Sequence, residues 1–509
     1  MCNLPEDVSG EKVPPMSHSS PHLSRLAMTV LQPGFDGITP PDWLRRALAE
    51  GLGGTVLFAR NLAGRAQTAE LVAGLRRENP AVVVAVDEEG GAVTRLEAST
   101  GSSWPGNRAL GVADDIGRTE RVAREIGLLL AAADITLDYA PVVDVNANPA
   151  NPVIGIRSFG PDPELVSRHG TAWITGLQST GVAACAKHFP GHGDTVTDSH
   201  HALPTVHASP ELLRERDLPP FRAAVRAGVQ AVMCGHLLVP SLDPDNPATL
   251  SRRILTGLLR EELGFGGLLV TDAIEMRAVA ALHPPGEIAV RALAAGVDAI
   301  CVGASSPDGE SVYALRDAIV TAVHDGRLPE ERLAEAAARV LALAGWHAEN
   351  TARAPRDAGE AGDLGLQAAR AAMRVVVSDG RPSPALSRPP LVVDIAPRLN
   401  PAVDPSVPTG ILGALTELLP GTVGHTVTAE TAELPDLSDD GRPLVLVVHD
   451  APRHAWVRDL LARAVRLRPD AIVIETGLPG ESIGAVYIAT YGISRVSARA
   501  AALWLTSGQ

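Results

Sequence analysis

The sequence predicts an α/β protein: a (β/α)8 barrel of the TIM type followed by a smaller α/β sandwich domain. Three observations carry this. Short aliphatic runs alternate with longer Ala-, Leu- and Arg-rich stretches from about residue 23 to residue 350. The runs are nearly continuous in apolar residues, as in parallel strands buried on both faces. No GxGxxG or GxxxxGK[ST] follows any of them, so the phosphate-binding mark of a doubly wound sheet is missing.

In chain order the expected strands are 27–31, 54–58, 82–86, 136–140, 182–186, 231–234, 267–270 and 299–302. Amphipathic stretches at 42–50, 119–132, 163–179, 209–227 and 287–295 supply connecting helices. Eight such units in about 320 residues match a barrel with insertions. Residues 1–22 are polar and proline-bearing and are expected to be a disordered tail. The barrel is expected over 23–350. Residues 351–390 read as a linker, rich in Ala, Gly and Pro, with a connecting helix at 364–373. The sandwich domain follows at 391–509, with strands at 391–395, 444–448 and 471–474 and helices near 409–419, 452–467 and 496–505. It shows no polar cluster comparable to the barrel's, so a supporting role is expected of it.

Composition narrows the function. The chain has 509 residues and a formal net charge of -15, which repels phosphate backbones and anionic lipid; neither nucleic acid nor a membrane surface is an expected partner. Cys2, Cys185, Cys234 and Cys301 form no CxxC pair, and the last three lie in apolar runs as buried thiols. No run of about 18 apolar residues suggests a membrane span. The first 21 residues contain no apolar signal segment. Together these point to the cytoplasm. Oligomeric state is left open.

In a parallel barrel the chemistry sits beyond the C-terminal ends of the strands. After the third strand comes Asp87-Glu88-Glu89-Gly90-Gly91, with Arg95 close behind. After the fourth come Asp144, Asn146 and Asn148, then Arg157-Ser158-Phe159-Gly160. The fifth leads into Lys187, His188 and a loop ending Asp198-Ser199-His200. His236 follows the sixth and Asp272 the seventh. Polar groups at one end of five strands favour catalysis over a structural role. Some have plainer readings. Asp272 could cap a helix. Glu88 and Glu89 suit solvated or structural roles, His192 suits loop shaping as well as it suits a ligand, and His201 carries no signal of its own. Asp194-Thr195 could simply fold the loop. Lys187, His188, His236 and Asp272 also suggest a metal-dependent barrel hydrolase. That arrangement needs an H-x-H pair at the first strand, where this chain has Leu31-Gln32-Pro33-Gly34, and no HExxH occurs. A third reading is a binding or scaffolding protein on an inactive barrel.

The segment Lys187-His188-Phe189-Pro190-Gly191-His192-Gly193-Asp194-Thr195, followed by Asp198-Ser199-His200, resembles the signature loop of glycoside hydrolase family 3. Within it, the likeness is to the NagZ type of β-N-acetylglucosaminidase. The block at Val86-Asp87-Glu88-Glu89-Gly90-Gly91 agrees as well, as do those from Asn151 to Gly160 and from Thr271 to Met276, all in order. The resemblance covers about residues 23–347 specifically and the sandwich domain more weakly. Two departures stand out: Ala92 where the family usually has Arg, and Ile156 where a polar residue is common.

The resemblance implies a retaining, exo-acting β-N-acetylglucosaminidase that removes terminal GlcNAc from peptidoglycan or chitin fragments. Asp272 is the implied nucleophile and His200 the implied acid/base, oriented by Asp198. Histidine suits that role because its ordinary pKa of about 6.5 lets it give and take a proton near neutrality. Asp87, Arg95, Arg157, Lys187 and His188 are the implied sugar-binding residues. No metal or cofactor is implied. Inorganic phosphate could replace water as acceptor, since neutral His200 does not repel an anion as a carboxylate would; the sequence leaves hydrolysis and phosphorolysis both open.

Overall fold

The computed structural model describes residues 21–305, 308–354, 362–378, 385–438 and 441–507. Its first eight strands are β1 (Leu31–Gly34), β2 (Gly54–Leu57), β3 (Val83–Val86), β4 (Leu137–Asp138), β5 (Ala183–Phe189), β6 (Ala231–Cys234), β7 (Leu268–Thr271) and β8 (Ile300–Ser305). Strands β2 to β7 form one parallel sheet in sequence order, and β1 pairs with β8. A parallel bridge between Val270 and Ala299 joins the β7 and β8 edges. At the β1–β2 seam no ladder forms. There Thr55 Oγ1 donates to Pro33 O at 2.7 Å and Gly53 N to Met28 O at 3.1 Å. Pro33 has no N–H to contribute to a ladder.

Alternation along the strands sorts their side chains. Val83, Ala85, Ala183, Cys185, Ala231, Met233, Leu268 and Val270 fill the barrel interior. Their neighbours Val84, Val86, Ala184, Ala186, Val232, Cys234 and Leu269 pack outward against the helices. Val340 and Leu343 of the long helix Glu330–Arg353 pack onto the interior cluster beside Ala81, which precedes β3. This closes the end of the barrel opposite the strand C-termini.

Three expectations for the barrel are corrected. The first strand, expected at 27–31, begins only at Leu31, because Pro21–Thr29 is a helix. Leu23, Ala27 and Met28 are its buried side, and a short apolar run cannot distinguish such a helix from a strand. Pro21 and His22, assigned to the tail, begin that helix; residues 1–20 lie outside the described residues, as does Cys2. The fifth strand runs on to Phe189, so Lys187 and His188 lie within it rather than after it. Among the described residues no helix is long and apolar enough to cross a membrane.

The second sheet contains β9 (Arg374–Val377), β10 (Leu391–Ile395), β11 (Val423–Val427), β12 (Leu444–Val448), β13 (Ile472–Glu475) and β14 (Val486–Ala489). The order is β11-β10-β12-β13-β14-β9, parallel except for β9. Strand β9 falls in the expected linker. It is an edge strand with alternating burial, too short and too exposed to stand out in sequence. Strand β11 was missed for the same reason, with four of its five residues exposed, whereas β14 was missed although all four of its residues are buried, its short run being set among glycines.

The two domains are fastened together. Arg495 Nη2 donates to Ser103 Oγ at 2.5 Å, Arg374 Nη2 to Val112 O at 3.0 Å and Asn400 Nδ2 to Pro152 O at 3.1 Å. Ala92, Ala98 and Ile156 of the barrel form an apolar cluster with Val407 and Ile493 of the second domain. Both departures from the family pattern, Ala92 and Ile156, are therefore explained: an apolar face receives the second domain.

Candidate active site

Two residues beyond Ala85, Cys185 and Val270, the inward side of each strand is occupied by Asp87, Lys187 and Asp272. The period-2 alternation that fills the barrel below thus aims these polar groups at its mouth. They line a cavity of about 380 Å³ together with Arg95, Arg157, His188 and His200. The structure brings every site residue expected from sequence to this cavity or, for Asp198, directly behind it.

One side of the cavity is a buried charge network. Lys187 Nζ lies 2.8 Å from both Asp87 Oδ1 and Glu89 Oε1. Arg157 grips Glu89 with both prongs of its guanidinium, at 3.0 and 2.7 Å. Burial pushes the Glu89 carboxyl up, but Arg157 and Lys187 outweigh it and hold the group well below the ordinary carboxylate range. Lys187 is likewise kept charged: Asp87 and Glu89 overcome the burial that opposes its charge. Glu89→Gln leaves two buried cations with one carboxylate fewer. It is expected to cost about 3–5 kcal/mol of stability, read as a lower urea midpoint at neutral pH.

Of the two roles expected for Glu88 and Glu89, solvated or structural, the structure bears out the structural one, since both are buried. Gly90 and Gly91, both at positive φ, fold the chain back behind them. At Gly91 an added Cβ would lie 2.4 Å from Gly106 Cα, so only glycine permits the close approach. Glu88 accepts the Arg95 and Leu96 N–H groups at 2.9 and 3.0 Å, and burial pushes its carboxyl up to about 7.

Across the cavity, His200 and Asp198 form a pair. Asp198 Oδ1 accepts both the His200 backbone N–H, at 2.8 Å, and Nδ1, at 2.7 Å. This fixes the ring and leaves Nε2 for the cavity. Burial opposes a charged ring, yet the Asp198 hydrogen bond and charge, with Asp272 adding, raise the His200 pKa above its ordinary value. Asp272 follows β7 directly. Its N–H is held by Cys234 O at 3.0 Å, and its Oδ1 accepts the Ala273 N–H at 2.8 Å. Burial pushes this carboxyl up, but His236, His188, the Ala273 N–H and His200 together hold it below the ordinary range.

Asp144 received no role from sequence, yet it orders one wall. Its Oδ2 lies 2.7 Å from His188 Nδ1, and its Oδ1 accepts the His192 N–H at 2.7 Å. An aspartate 44 residues upstream of its histidine carries no local signal. His192 shapes the loop: Nδ1 lies 2.8 Å from Thr195 Oγ1, and burial pushes the ring down to about 4. His236, the metal-ligand candidate, has Nδ1 at 2.7 Å from Thr249 Oγ1 and Nε2 at 2.9 Å from Ala273 O. Both nitrogens are engaged by protein groups. Among the described residues no three His, Cys, Asp or Glu side chains are grouped to hold a metal ion.

The second domain also reaches the cavity. Pro401 and Ala402 line it, and Ala402 O accepts Arg95 Nη1 at 2.9 Å. Sequence shows no polar cluster in this domain comparable to the barrel's; the structure gathers His449, Asp450, Arg453 and His454 where the domain faces the barrel. They lie 50 residues or more beyond the last expected linker position and mark no motif.

Residues 23–343 match the N-terminal domain of glycosyl hydrolase family 3. A β-hexosaminidase A of Pseudoalteromonas piscicida is 33% identical over 344 residues, covering 63% of this chain and 56% of that protein. The chain therefore spans little more than half the length of that relative. A β-hexosaminidase of Pseudomonas aeruginosa is 40% identical over 254 residues, covering 48% of this chain and 74% of its own. A family 3 β-N-acetylglucosaminidase from Paenibacillus sp. str. FPU-7 superposes with a TM-score of 0.82 at 35% identity, covering 95% of this chain and 96% of its own.

Proposed function

The chain belongs to glycoside hydrolase family 3, and on that premise we propose that it is a retaining, exo-acting β-N-acetylglucosaminidase. Its substrates are peptidoglycan or chitin fragments with a terminal GlcNAc. One observation carries the reading: a single cavity presents a carboxylate held ionised, Asp272, and an imidazole biased toward its protonated form, His200. Environments that drive two titratable groups apart mark a nucleophile and an acid.

Asp272 attacks the anomeric carbon while His200 Nε2 gives its proton to the leaving oxygen. The glycosidic bond breaks, and a covalent glycosyl-enzyme forms. The Ala273 N–H on Oδ1 orients the carboxylate and leaves Oδ2 to attack. His200, now neutral, takes a proton from water as that water displaces Asp272, so two inversions give net retention. Asp198 fixes the tautomer and stabilises the imidazolium. Asp87 accepts from sugar hydroxyls; Arg95, Arg157, Lys187 and His188 donate to hydroxyls and to the acetamido carbonyl. The reaction uses no metal or cofactor. We place the protein in the cytoplasm, a reading supported by the unbridged, buried thiols of Cys185, Cys234 and Cys301.

The test is turnover of an aryl N-acetyl-β-glucosaminide with and without phosphate and with and without EDTA, followed by analysis of the sugar product. Free GlcNAc at equal rates in all four conditions is expected. A phosphate-dependent rate yielding the 1-phosphate would make the enzyme a phosphorylase. Loss of activity to EDTA with recovery on Zn²⁺ would favour metal hydrolysis.

A further inference from the structure

The two reacting groups are carried differently. Asp272 follows β7 directly, whereas His200 stands far along the loop that leaves β5 at Phe189. A group on a loop is placed less precisely than one on a strand end unless something braces the loop. Here the bracing is at the root. Gly193 lies so near the barrel backbone that an added Cβ would sit 1.8 Å from Val145 O. The next residue, Asp194, accepts Arg216 Nη1 on its Oδ2 at 2.8 Å. Beyond it the loop opens to solvent, with Val196 68% exposed, before turning back to Asp198 and His200.

Arg216 is itself held from behind. Its Nε lies 3.1 and 3.2 Å from the two carboxyl oxygens of Asp217, and its Nη2 donates to Oδ2 at 2.9 Å. Asp217 is buried, and Gly191 packs directly on it: an added Cβ there would fall 2.9 Å from Asp217 Cβ. Both residues belong to a π-helical segment, Leu213–Asp217, set between the helical turns Pro210–Leu212 and Leu218–Arg226. A π turn takes one residue more than an α turn, re-aims the side chains it carries and recurs at functional sites. In this chain it sets a cation and a carboxylate side by side against the loop's root. Neither Arg216 nor Asp194 lines the sugar cavity, so they act on it only through the loop.

We propose that Arg216 is a positioning residue for proton transfer: by clamping Asp194 it fixes the loop whose far end presents His200 Nε2 to the leaving oxygen. The proposal rests on the glycosidase reading above, with His200 as the acid.

The test is kcat/KM on the 2,4-dinitrophenyl and phenyl N-acetyl-β-glucosaminides, whose leaving groups need little and much help from a proton. This ratio reports the first displacement, where His200 acts as acid. Arg216→Gln and Asp194→Asn are each expected to lower it on the phenyl glycoside by about 10²-fold, the cost of misplacing a reacting group. On the dinitrophenyl glycoside the loss is expected to stay below about threefold. The double variant is expected to lose no more than either single one, because both break the same contact. Asp194→Asn leaves the buried Asp217 paired with Arg216, so it reads the loop contact even where Arg216→Gln fails to fold. Equal losses on the two glycosides would overturn the proposal, because that marks a general structural role. Phenyl glycoside turnover unchanged in Asp194→Asn would overturn it too. His200→Ala run alongside separates the two levels. A wild type without turnover, or equal losses on both glycosides in His200→Ala, would sink the underlying reading. A selective loss in His200→Ala without one in Asp194→Asn sinks only the clamp.

Discussion

Asp272→Asn is expected to lower kcat on an aryl N-acetyl-β-glucosaminide by about 10⁴-fold or more, the scale seen when a nucleophile is removed. The amide keeps the volume of the carboxylate and an oxygen for the Ala273 N–H, now 2.8 Å from Oδ1. It lacks the charge that attacks the anomeric carbon. Because Asp272 helps raise the His200 pKa, the substitution also weakens the acid. The melting temperature should fall, by no more than a few degrees, since the amide loses the charge that the neighbouring histidines favour but also sheds the cost of burying it and keeps the Ala273 hydrogen bond. Activity assays paired with thermal unfolding check this. Residual turnover above about one part in a hundred in a folded variant would take the nucleophile's role from Asp272.

The second large effect concerns the Asp198–His200 pair. His200→Ala is expected to lower kcat/KM by about 10²–10⁴-fold, with the greater loss on alkyl leaving groups that need a proton most. The pH dependence follows from the direction of each shift. His200 acts first as an acid, so kcat/KM is highest while it is protonated and falls as pH rises through its pKa, which lies above the ordinary value of 6.5. Asp272 must be ionised, and its pKa lies below 3.8, so the acidic limb sits at low pH. Asp198→Asn removes the charge that helps raise His200 and leaves only a neutral, weaker acceptor for its Nδ1–H, which moves the alkaline limb to lower pH. A profile whose alkaline limb stays in place in Asp198→Asn would mean that another group supplies the proton.

What sequence made legible follows physical lines. Strands β2, β3 and β6 were placed to within a residue because each is buried on both faces, and a run of aliphatics is what that environment selects. The edge strands β9 and β11 escaped because half or more of their residues are not buried, so their composition resembles that of a loop. Asp87, Lys187 and Asp272 were found because barrel geometry ties function to a position on the strand. Asp144 was left without a role, and Glu89 without its place in the charge network, because both depend on partners far away in sequence, His188 and Arg157.

By itself the sequence determined the barrel's alternating order, the polar groups at its strand ends and the chemistry those groups could perform. All three depend on neighbours within a few residues or on the repeat of the β/α unit. Only the tertiary structure decided which carboxylate neutralises which cation, as Asp87 does for Lys187 a hundred residues later. It also decided that the second domain sets Ala402 against Arg95, 307 residues away, and lays its strand-end loops along the barrel mouth. Contacts at that separation arise only when two finished surfaces pack, and no local pattern of residues records them.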